Sequence, residues 1–184
     1  MMEIKSTKIK DCFILEPGVF YDSRGYFMES FNSQNFNLQT GLNIDFVQDN
    51  ESESTYGVIR GLHAQVGDAA QAKLVRVLKG EVLDVVVDLR PDSETYLQHI
   101  AVKLSADNKR QLFLPRGCLH GFSVLSDTAT FFYKCDNYYS KKDETGIRYD
   151  DVNFNIDWQI PKEQIKISEK DLQLPFLKDF EKII

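Results

Sequence analysis

The stretch that decides the fold is residues 73–89, KLVRVLKGEVLDVVVDL, in which two runs rich in branched apolar residues flank Lys79-Gly80. Apolar runs of this length bounded by a turn former are typical of strands. A two-residue connection that contains glycine is typical of a β-hairpin. The stretch therefore predicts two antiparallel strands, residues 74–78 and 81–89, joined at Gly80.

The same pattern continues toward the C-terminus. Two more pairs of β-rich runs are joined by turn-forming segments: 99–104 to 111–114 through 105–108, and 121–125 to 130–139 through 126–127. Turn signals at such regular spacing, with no long helical period between them, indicate an antiparallel sandwich or barrel. The predicted class is all-β.

Helix is predicted to be a minor component. Ser33 fits the cap of a short helix that runs through Phe36 and Leu38 and that Gly41 ends. The tail from Pro161 onward is predicted to form short helices or loops packed on the barrel.

Three strands carry a polar residue on an otherwise apolar face. By the two-residue period of a strand, the sets are Lys73 with Val75 and Val77, Asp84 with Val82 and Val86, and Tyr133 with Phe131 and Cys135. Polar groups on such faces of a small barrel indicate a pocket in its mouth, although a solvated strand face gives the same pattern. Asp84 and Asp88 also fit surface strand positions, and we leave both outside the predicted site.

Composition and charge limit the class of protein. A chain of 184 residues with 42% hydrophobic residues and five prolines fits one compact domain, residues 1–184. The net charge of −6 argues against a nucleic-acid or anionic-membrane surface, but a few basic residues in a pocket can still bind a phosphorylated ligand.

The predicted location is the cytoplasm. No apolar run approaches the length of a membrane span, and residues 1–10 contain no apolar signal core. Cys12, Cys118 and Cys135 have no CxxC spacing, which fits reduced thiols.

The three histidines differ in their sequence surroundings. His63 follows Arg60-Gly61-Leu62 and lies near Lys73 in the sequence. His120 follows Pro115-Arg116-Gly117 with two residues in between. His99 begins a strand without a polar cluster and is interpreted as a surface or structural residue. Zinc and non-haem iron sites normally take three protein ligands, and neither a second histidine nor a carboxylate follows His63 at the required spacing. We therefore predict no metal site.

A set of ordered motifs carries a resemblance to a known family. The motifs are DSRGYFME (22–29), QDN (48–50), GVIRGLH (57–63), KLVRV (73–77), DVVVDLR (84–90), LPRG (114–117), HGF (120–122), YKC (133–135), ETGI (144–147) and SEKD (168–171). The spacing Pro115-x-Gly117-x-x-His120 resembles the second motif of the cupin superfamily. Over about residues 4 to 176 the chain resembles the dTDP-4-dehydrorhamnose 3,5-epimerases.

The resemblance implies a fold, an activity and an assembly. It implies a cupin-type double-stranded β-helix, or jelly-roll barrel, that works without a cofactor. The implied reaction converts dTDP-4-dehydro-6-deoxy-D-glucose to dTDP-4-dehydro-L-rhamnose by epimerisation at C3 and C5, for cell-surface polysaccharide biosynthesis. The implied assembly is a homodimer whose N-terminal strands add to the partner's sheet, and the β-rich residues 4–15 are compatible with such an exchange.

The resemblance also implies roles for individual residues. His63 would be the general base, Asp171 its paired carboxylate, Tyr133 the acid on the opposite face, and Lys73 the cation at the enolate oxygen. Ten further residues would line the nucleotide-sugar site, with the two aromatic ones near the base: Arg24, Phe27, Glu29, Gln48, Asn50, Arg60, His120, Tyr139, Glu144 and Lys170.

Elementary acid–base chemistry agrees with this division of roles. An imidazole titrates near neutral pH and suits removal of a proton beside a ketone, and a cation suits the oxygen where the enolate charge develops. Without the family, Tyr133 also fits a core aromatic, Asp171 a solvated turn or N-cap, and Arg24 a turn residue.

The chain departs from the family's usual pattern at two places. Ala64 stands where an aromatic residue is usual, and Cys118-Leu119 replace the more usual small or aromatic pair before His120. Three other functions are compatible with the same residues: an epimerase of the family that acts at C3 only or on another nucleotide sugar, a metal-dependent cupin, and a non-catalytic sugar-binding cupin.

Overall fold

The computed structural model describes residues 2–180, so both ends of the predicted domain, residues 1 and 184, lie outside the described residues. Two sheets make up most of the described part. The six-stranded sheet contains, in spatial order, β1 (Glu3–Ser6), β2 (Phe13–Glu16), β10 (Gln111–Leu114), β7 (Lys73–Lys79), β12 (Thr128–Cys135) and β5 (Gln48–Thr55). The five-stranded sheet contains β13 (Glu144–Gly146), β6 (Ile59–Gln65), β11 (Cys118–Val124), β8 (Glu81–Asp88) and β9 (His99–Ser105).

The central strands pair in a nested order. β8 pairs with β9, and around this hairpin β7 pairs with β10, β6 with β11 and β5 with β12, all antiparallel. Strands β5 to β8 alternate between the two sheets, and β9 to β12 alternate back. This is the topology of a double-stranded β-helix, and the predicted all-β, cupin-type class is confirmed.

The predicted hairpin at Gly80 is wrong. β7 belongs to the six-stranded sheet and β8 to the five-stranded sheet, so the two strands share no ladder. Gly80 turns the corner between the sheets at φ 76°, where a Cβ would lie only 2.1 Å from the carbonyl oxygen of Thr128. The connections from β9 to β10 and from β11 to β12 also cross between sheets. Local propensity predicts the strands, but it carries no information on which sheet each strand joins.

The helices are short, as predicted. In α1 (Ser33–Thr40) the N-cap is Asn32 rather than Ser33, because the Asn32 side chain accepts the N–H of Asn35 at 3.0 Å. Gly41 ends α1 at φ 71°. The tail contains α2 (Glu169–Leu172), and single 3₁₀ turns occur at Gly67–Ala69, Lys141–Asp143, Lys162–Gln164 and Leu177–Asp179.

The two sheets face each other across an apolar barrel interior. Val75, Val77 and Phe131 of the six-stranded sheet pack in one cluster with Val82 and Val86 of the five-stranded sheet. The predicted strand faces of Lys73, Asp84 and Tyr133 agree with this packing. A second cluster, which includes Leu62, Ile147 and Trp158, lies between the other face of the five-stranded sheet and the C-terminal tail. This second cluster fixes the tail on the barrel.

The surface interpretation of Asp84 and Asp88 is wrong, because both side chains are completely buried. Burial raises the pKa of Asp88, but hydrogen bonds from Arg90, Ser93 and Thr95 outweigh burial and lower it to about 2. The three cysteines are buried free thiols, and burial raises the pKa of Cys12 to about 12. These thiols therefore stay protonated at neutral pH.

The N-terminal strands are paired within the chain, and the exchange of residues 4–15 with a partner stays a prediction. β1 and β2 are paired with each other and with β10 inside the chain's own sheet. The following strands, β3 (Val19–Asp22) and β4 (Gly25–Met28), pair only with each other among the described strands. Their hairpin exposes large apolar side chains, among them Phe20, Tyr21 and Phe27. In residues 2–180, no helix is both long and apolar enough to cross a membrane.

Candidate active site

A cavity of about 560 Å³ opens between the two sheets at one end of the barrel. Its walls come from β6 and β11 on one side, from β7 and β12 on the other, and from the tail segment 166–171. A second cavity of about 260 Å³ shares His63, Lys73 and Tyr133 with the first. The two cavities are thus two lobes of one cleft, and the three shared residues lie where the lobes meet.

His63 of β6 is held by a carboxylate from the tail. Its Nε2 lies 2.9 Å from Oδ1 of Asp171 in α2. The N–H of Gly61 donates to Oδ2 of the same carboxylate at 3.3 Å, and the hydroxyl of Ser168 caps α2 by accepting the N–H of Asp171 at 3.1 Å. The structure therefore brings together the predicted base and its predicted carboxylate, and it adds Gly61 and Ser168, which sequence reasoning missed.

The charge state of Asp171 settles the tautomer of His63. Burial would raise the pKa of Asp171, but the His63 ring, the Gly61 N–H and Ser168 together lower it below its ordinary value. An ionised carboxylate only accepts hydrogen bonds, so Nε2 of His63 carries the hydrogen that points at it. The lone pair is then on Nδ1, which leaves that nitrogen able to take a proton.

Lys73 and Tyr133 approach the same cleft from the six-stranded sheet. The Nζ atom of Lys73 lies 5.7 Å from the centre of the Tyr133 ring. Burial lowers the pKa of Lys73, and Cys135, Asp84 and Glu144 act in the opposite direction. Burial also raises the pKa of Tyr133, so the phenol keeps its proton at neutral pH and can act as an acid.

A second histidine–carboxylate pair lies beside the first. His120 of β11 is the register partner of His63 on β6, and its Nε2 lies 3.0 and 2.9 Å from the two carboxylate oxygens of Asp84. Burial raises the pKa of Asp84, while His120 and Lys73 lower it. Sequence reasoning left Asp84 outside the site, although its strand face, shared with Val82 and Val86, was the signal for an inward carboxylate.

Close approach of two strands sets the spacing of the two pairs. Gly61 of β6 adopts φ 121°, and a Cβ there would lie 2.6 Å from Cα of Gly121 and 2.7 Å from the carbonyl oxygen of His120. Only glycine fits this contact without moving backbone. The same residue supplies the N–H that binds Asp171, so Gly61 joins the two pairs.

Four predicted binding residues line the smaller lobe: Gln48, Asn50, Tyr139 and Glu144. The Tyr139 hydroxyl and the Lys170 ammonium both donate to Oε2 of Glu144, at 2.9 and 2.7 Å. Gln48 donates to Asn50 at 3.0 Å. Buried Gln65, which sequence reasoning missed, holds the loop that carries Tyr139 by accepting the N–H of Ser140 at 2.8 Å.

The larger lobe contains three more predicted binding residues, Arg60, His120 and Lys170. The remaining three, Arg24, Phe27 and Glu29, line neither lobe. Arg24 lies in the exposed turn of the β3–β4 hairpin and pairs with Asp22 at 2.6 Å. Within one chain the structure therefore assembles seven of the ten predicted binding residues.

Two further observations concern the chemistry of the cleft. Ala64 is buried in the cluster beneath the tail and also contacts the smaller lobe, next to the wall formed by Glu144. Across residues 2–180 there is no group of three or more His, Cys, Asp or Glu side chains that could hold a metal ion. The cleft contains three kinds of group that can take part in proton transfer: the imidazole of His63, the phenol of Tyr133 and the amine of Lys73.

Comparison with known proteins agrees with this site. A family model described as dTDP-4-dehydrorhamnose 3,5-epimerase matches residues 6–179. The dTDP-4-dehydrorhamnose 3,5-epimerase of Shigella flexneri is 52% identical over 171 residues, which is 93% of each chain. The crystal structure of the enzyme of that name from Elizabethkingia anophelis NUHP1 superposes with a TM-score of 0.95 at 52% identity, covering 100% of this chain and 99% of the other.

A third relative was solved with a ligand. The dTDP-6-deoxy-D-glucose-3,5-epimerase of Legionella pneumophila Philadelphia 1, crystallised in complex with dTDP-4-keto-L-rhamnose, has a TM-score of 0.94 at 44% identity, covering 98% of this chain and 95% of that one. Identity of this extent over nearly the whole length, together with the matched family model, is decisive. The chain belongs to the dTDP-4-dehydrorhamnose 3,5-epimerase family and is an isomerase.

Proposed function

We propose that the cleft epimerises C3 and C5 of dTDP-4-dehydro-6-deoxy-D-glucose to give dTDP-4-dehydro-L-rhamnose. One observation carries the proposal: His63 and Tyr133 line the same cleft from opposite sheets. A hexose ring held between the sheets has the base on one face and the acid on the other. Inversion of a carbon centre requires that a proton leave one face and that a proton arrive on the other, and this arrangement supplies a group for each.

The first step is proton removal. Nδ1 of His63 takes the proton from C3 or C5, the C–H electron pair forms a C=C bond with C4, and the C4 oxygen becomes an enolate. The ionised Asp171 stabilises the imidazolium that forms. The Lys73 ammonium offsets the negative charge on the enolate oxygen.

The second step returns a proton to the opposite face. The Tyr133 phenol gives its proton to the same carbon, and the enolate collapses to the ketone. The Tyr133 phenolate and the His63 imidazolium then exchange protons with water, which restores both groups. The sequence is repeated at the second carbon, and no electrons leave the sugar, so no redox cofactor takes part.

The predicted binding residues divide between the parts of the ligand. Tyr139, exposed at the smaller lobe and fixed through Glu144 and Gln65, suits stacking with the nucleobase. Arg60, at the mouth of the larger lobe, suits the diphosphate. His120 suits the sugar, because its ring lies beside the proposed base.

We propose that a homodimer completes the site, through the β3–β4 hairpin rather than through residues 4–15. The hairpin has no strand partner among the described strands, and it carries Arg24 and Phe27, which line neither lobe of their own chain. Its exposed aromatic surface suits burial against a second copy. Light scattering should give about twice the chain mass of 21.2 kDa, and Phe27→Asp should shift the mass toward the monomer. A monomeric wild-type protein would contradict the assembly.

We place the enzyme in the cytoplasm and treat the chain as a single epimerase domain. The three buried free thiols fit a reducing compartment. Fractionation of the source cells should recover the protein with cytoplasmic markers, and recovery with the periplasm or membranes would contradict the placement.

The reaction is tested by proton NMR with dTDP-4-dehydro-6-deoxy-D-glucose in deuterated water. Deuterium at both C3 and C5 supports the double epimerase, and deuterium at C3 alone identifies the single epimerase. Absence of exchange contradicts the proposal. Tyr133→Phe should still exchange the proton but give little inverted product, because the base remains and the opposite-face acid is lost. Unchanged product yield from this variant would place the acid elsewhere.

A further inference from the structure

We propose that Lys166 is a further substrate-binding residue, which together with Arg60 binds the diphosphate of the nucleotide sugar. Lys166 lies outside every motif that relates the chain to its family. The inference rests on the proposed function, because it assumes a nucleoside diphosphate in the cleft.

The backbone of Lys166 is fixed at the cleft. The residue forms a parallel bridge with Val58, accepts the N–H of Ile59 at 3.0 Å and donates its own N–H to Gly57 at 2.8 Å. Gly57 adopts φ 83°, and a Cβ there would lie 2.2 Å from the carbonyl oxygen of Gln164. The tail can approach the barrel at this point because residue 57 is glycine. Lys166 is therefore held beside Val58 and Ile59, the two residues that precede Arg60.

Lys166 is one of the residues that line the larger lobe, and its side chain is exposed and donates to Thr55 on β5. It lines this lobe together with Arg60, Ser52, Ser168 and Lys170. The direction of the tail explains the placement, because the same segment continues through Ser168 to Asp171 at the His63 ring. Lys166 is thus on the wall that leads from the mouth of the cleft to the proposed base.

The cations of this lobe differ in whether they are already neutralised. Lys170 forms an ion pair with Glu144 at 2.7 Å. Arg60 donates to the Ser54 hydroxyl at 3.0 Å, and Lys166 donates to the Thr55 hydroxyl at 3.4 Å. Within residues 2–180, neither Arg60 nor Lys166 forms an ion pair with a carboxylate. These two residues leave positive charge unpaired at the mouth of a cleft in a chain whose net charge is −6.

Unpaired cations in an acidic protein create a local site for anions. The guanidinium of Arg60 can donate two parallel hydrogen bonds to phosphate oxygens. The ammonium of Lys166 adds a compact positive charge on a flexible side chain. Hydroxyls of Ser52 and Ser168 on the same walls can donate to the remaining oxygens. A diphosphate is the part of the ligand that this combination fits.

The test compares three variants by titration calorimetry with dTDP. Lys166→Gln should raise the dissociation constant about twofold to fivefold, the range expected for loss of one exposed charge contact. Lys166→Arg should restore most of the affinity. Lys162→Gln is the matched control, because Lys162 is an exposed lysine of the same tail that lines neither lobe. It should bind dTDP as the wild type does.

Two further readouts separate binding from a structural effect. The salt dependence of dTDP binding should become less steep in Lys166→Gln, and the loss in turnover should appear more in KM than in kcat. Wild-type affinity in Lys166→Gln, or an equal loss in Lys162→Gln, overturns the role of Lys166 and leaves the proposed function standing. A wild-type protein that fails to bind dTDP overturns both.

Discussion

Two histidine–aspartate pairs lie side by side in the cleft with nearly the same contact distance and opposite electrostatics. His63 and Asp171 are 2.9 Å apart, as are His120 and the nearer oxygen of Asp84. The side chain of His63 is 28% exposed and that of His120 is 10% exposed. The pKa of Asp171 is lowered by its donors, whereas the pKa of Asp84 is raised by burial.

The proposed function gives these two similar contacts different roles, and their surroundings, rather than their lengths, support that division. Asp171 is brought in by a surface tail and is kept ionised by His63, a backbone N–H and a serine. Asp84 is part of the barrel interior, where its charge is costly and is balanced by His120 and Lys73. We assign proton transfer to the first pair and positioning to the second, which holds the His120 ring and supports the charge of Lys73.

The largest expected effect comes from replacing each histidine with glutamine. His63→Gln should lower kcat about a thousandfold, since general base catalysis contributes 10² to 10⁴ in rate. His120→Gln should lower it about tenfold, because glutamine can still hydrogen-bond to Asp84 but positions the sugar less well. Deuterium exchange measured by NMR and steady-state kinetics check both. Equal losses would break the distinction between the pairs.

The two carboxylates give the next effect. Asp171→Asn should lower kcat about a hundredfold, because an amide no longer fixes the tautomer or stabilises the imidazolium. Asp84→Asn should cost about tenfold, because Asp84 acts through its contacts with His120 and its charge near Lys73. Single-turnover rates at saturating substrate are the measurement. Full activity in Asp171→Asn would remove Asp171 from the base pair.

The free energy of unfolding should also separate these two variants, because the two substitutions are expected to change it with opposite signs. The folded-state pKa of Asp171 is lowered, so its stabilising contribution is present above the unfolded-state pKa near 3.9 and is lost as pH falls below it. Asp171→Asn should therefore lower the free energy of unfolding by about 1 kcal/mol at pH 7 and by less at about pH 3.

Asp84 should show the reverse sign. Its folded-state pKa is raised, so the ionised side chain disfavours folding above that pKa and ceases to do so as pH falls. Asp84→Asn should be neutral or stabilising by up to about 1 kcal/mol at pH 7, because it removes a charge whose burial costs more than His120 and Lys73 return. Urea unfolding of both variants at pH 7 and at about pH 3 is the check, and strong destabilisation by Asp84→Asn would refute the comparison.

The smallest expected effect is a shift in the pH profile. The charge of Asp84 raises the pKa of Lys73 against the effect of burial. If the ammonium is the active form, activity falls at alkaline pH as Lys73 loses its proton, and Asp84→Asn should move this fall to lower pH. Glu53→Gln, a change on the solvent-exposed edge strand β5, is the control. An unchanged alkaline limb in Asp84→Asn would separate Asp84 from Lys73.

The sequence predicts the parts of this molecule that depend on local pattern. Period two places Lys73 and Tyr133 on inward faces, and the strands around Gly80 and Gly121 are found where the apolar runs occur. The family motifs predict the pairing of His63 with Asp171, which are 108 residues apart and share no local signal.

The sequence does not predict features that depend on which segments meet. The strands flanking Gly80 look like a hairpin, yet they lie in different sheets, where each pairs with other strands on both of its sides. From the sequence, an aspartate on a strand fits a solvent-exposed face. Asp84 is buried because the six-stranded sheet covers the face of β8 on which it lies. Lys166 looks like one more surface lysine until the tail is placed against Val58.

The nested strand order has a consequence for how activity develops during folding. The hairpin β8–β9 joins neighbouring segments, whereas β7–β10, β6–β11 and β5–β12 close successively longer loops, each at a greater entropic cost. His63 is on β6, Lys73 on β7 and Tyr133 on β12, and Asp171 is in the C-terminal tail. No single early hairpin therefore contains all four proposed catalytic residues. Recovery of epimerase activity should therefore follow the last ladder to close, which makes enzymatic turnover a sensitive reporter of complete refolding.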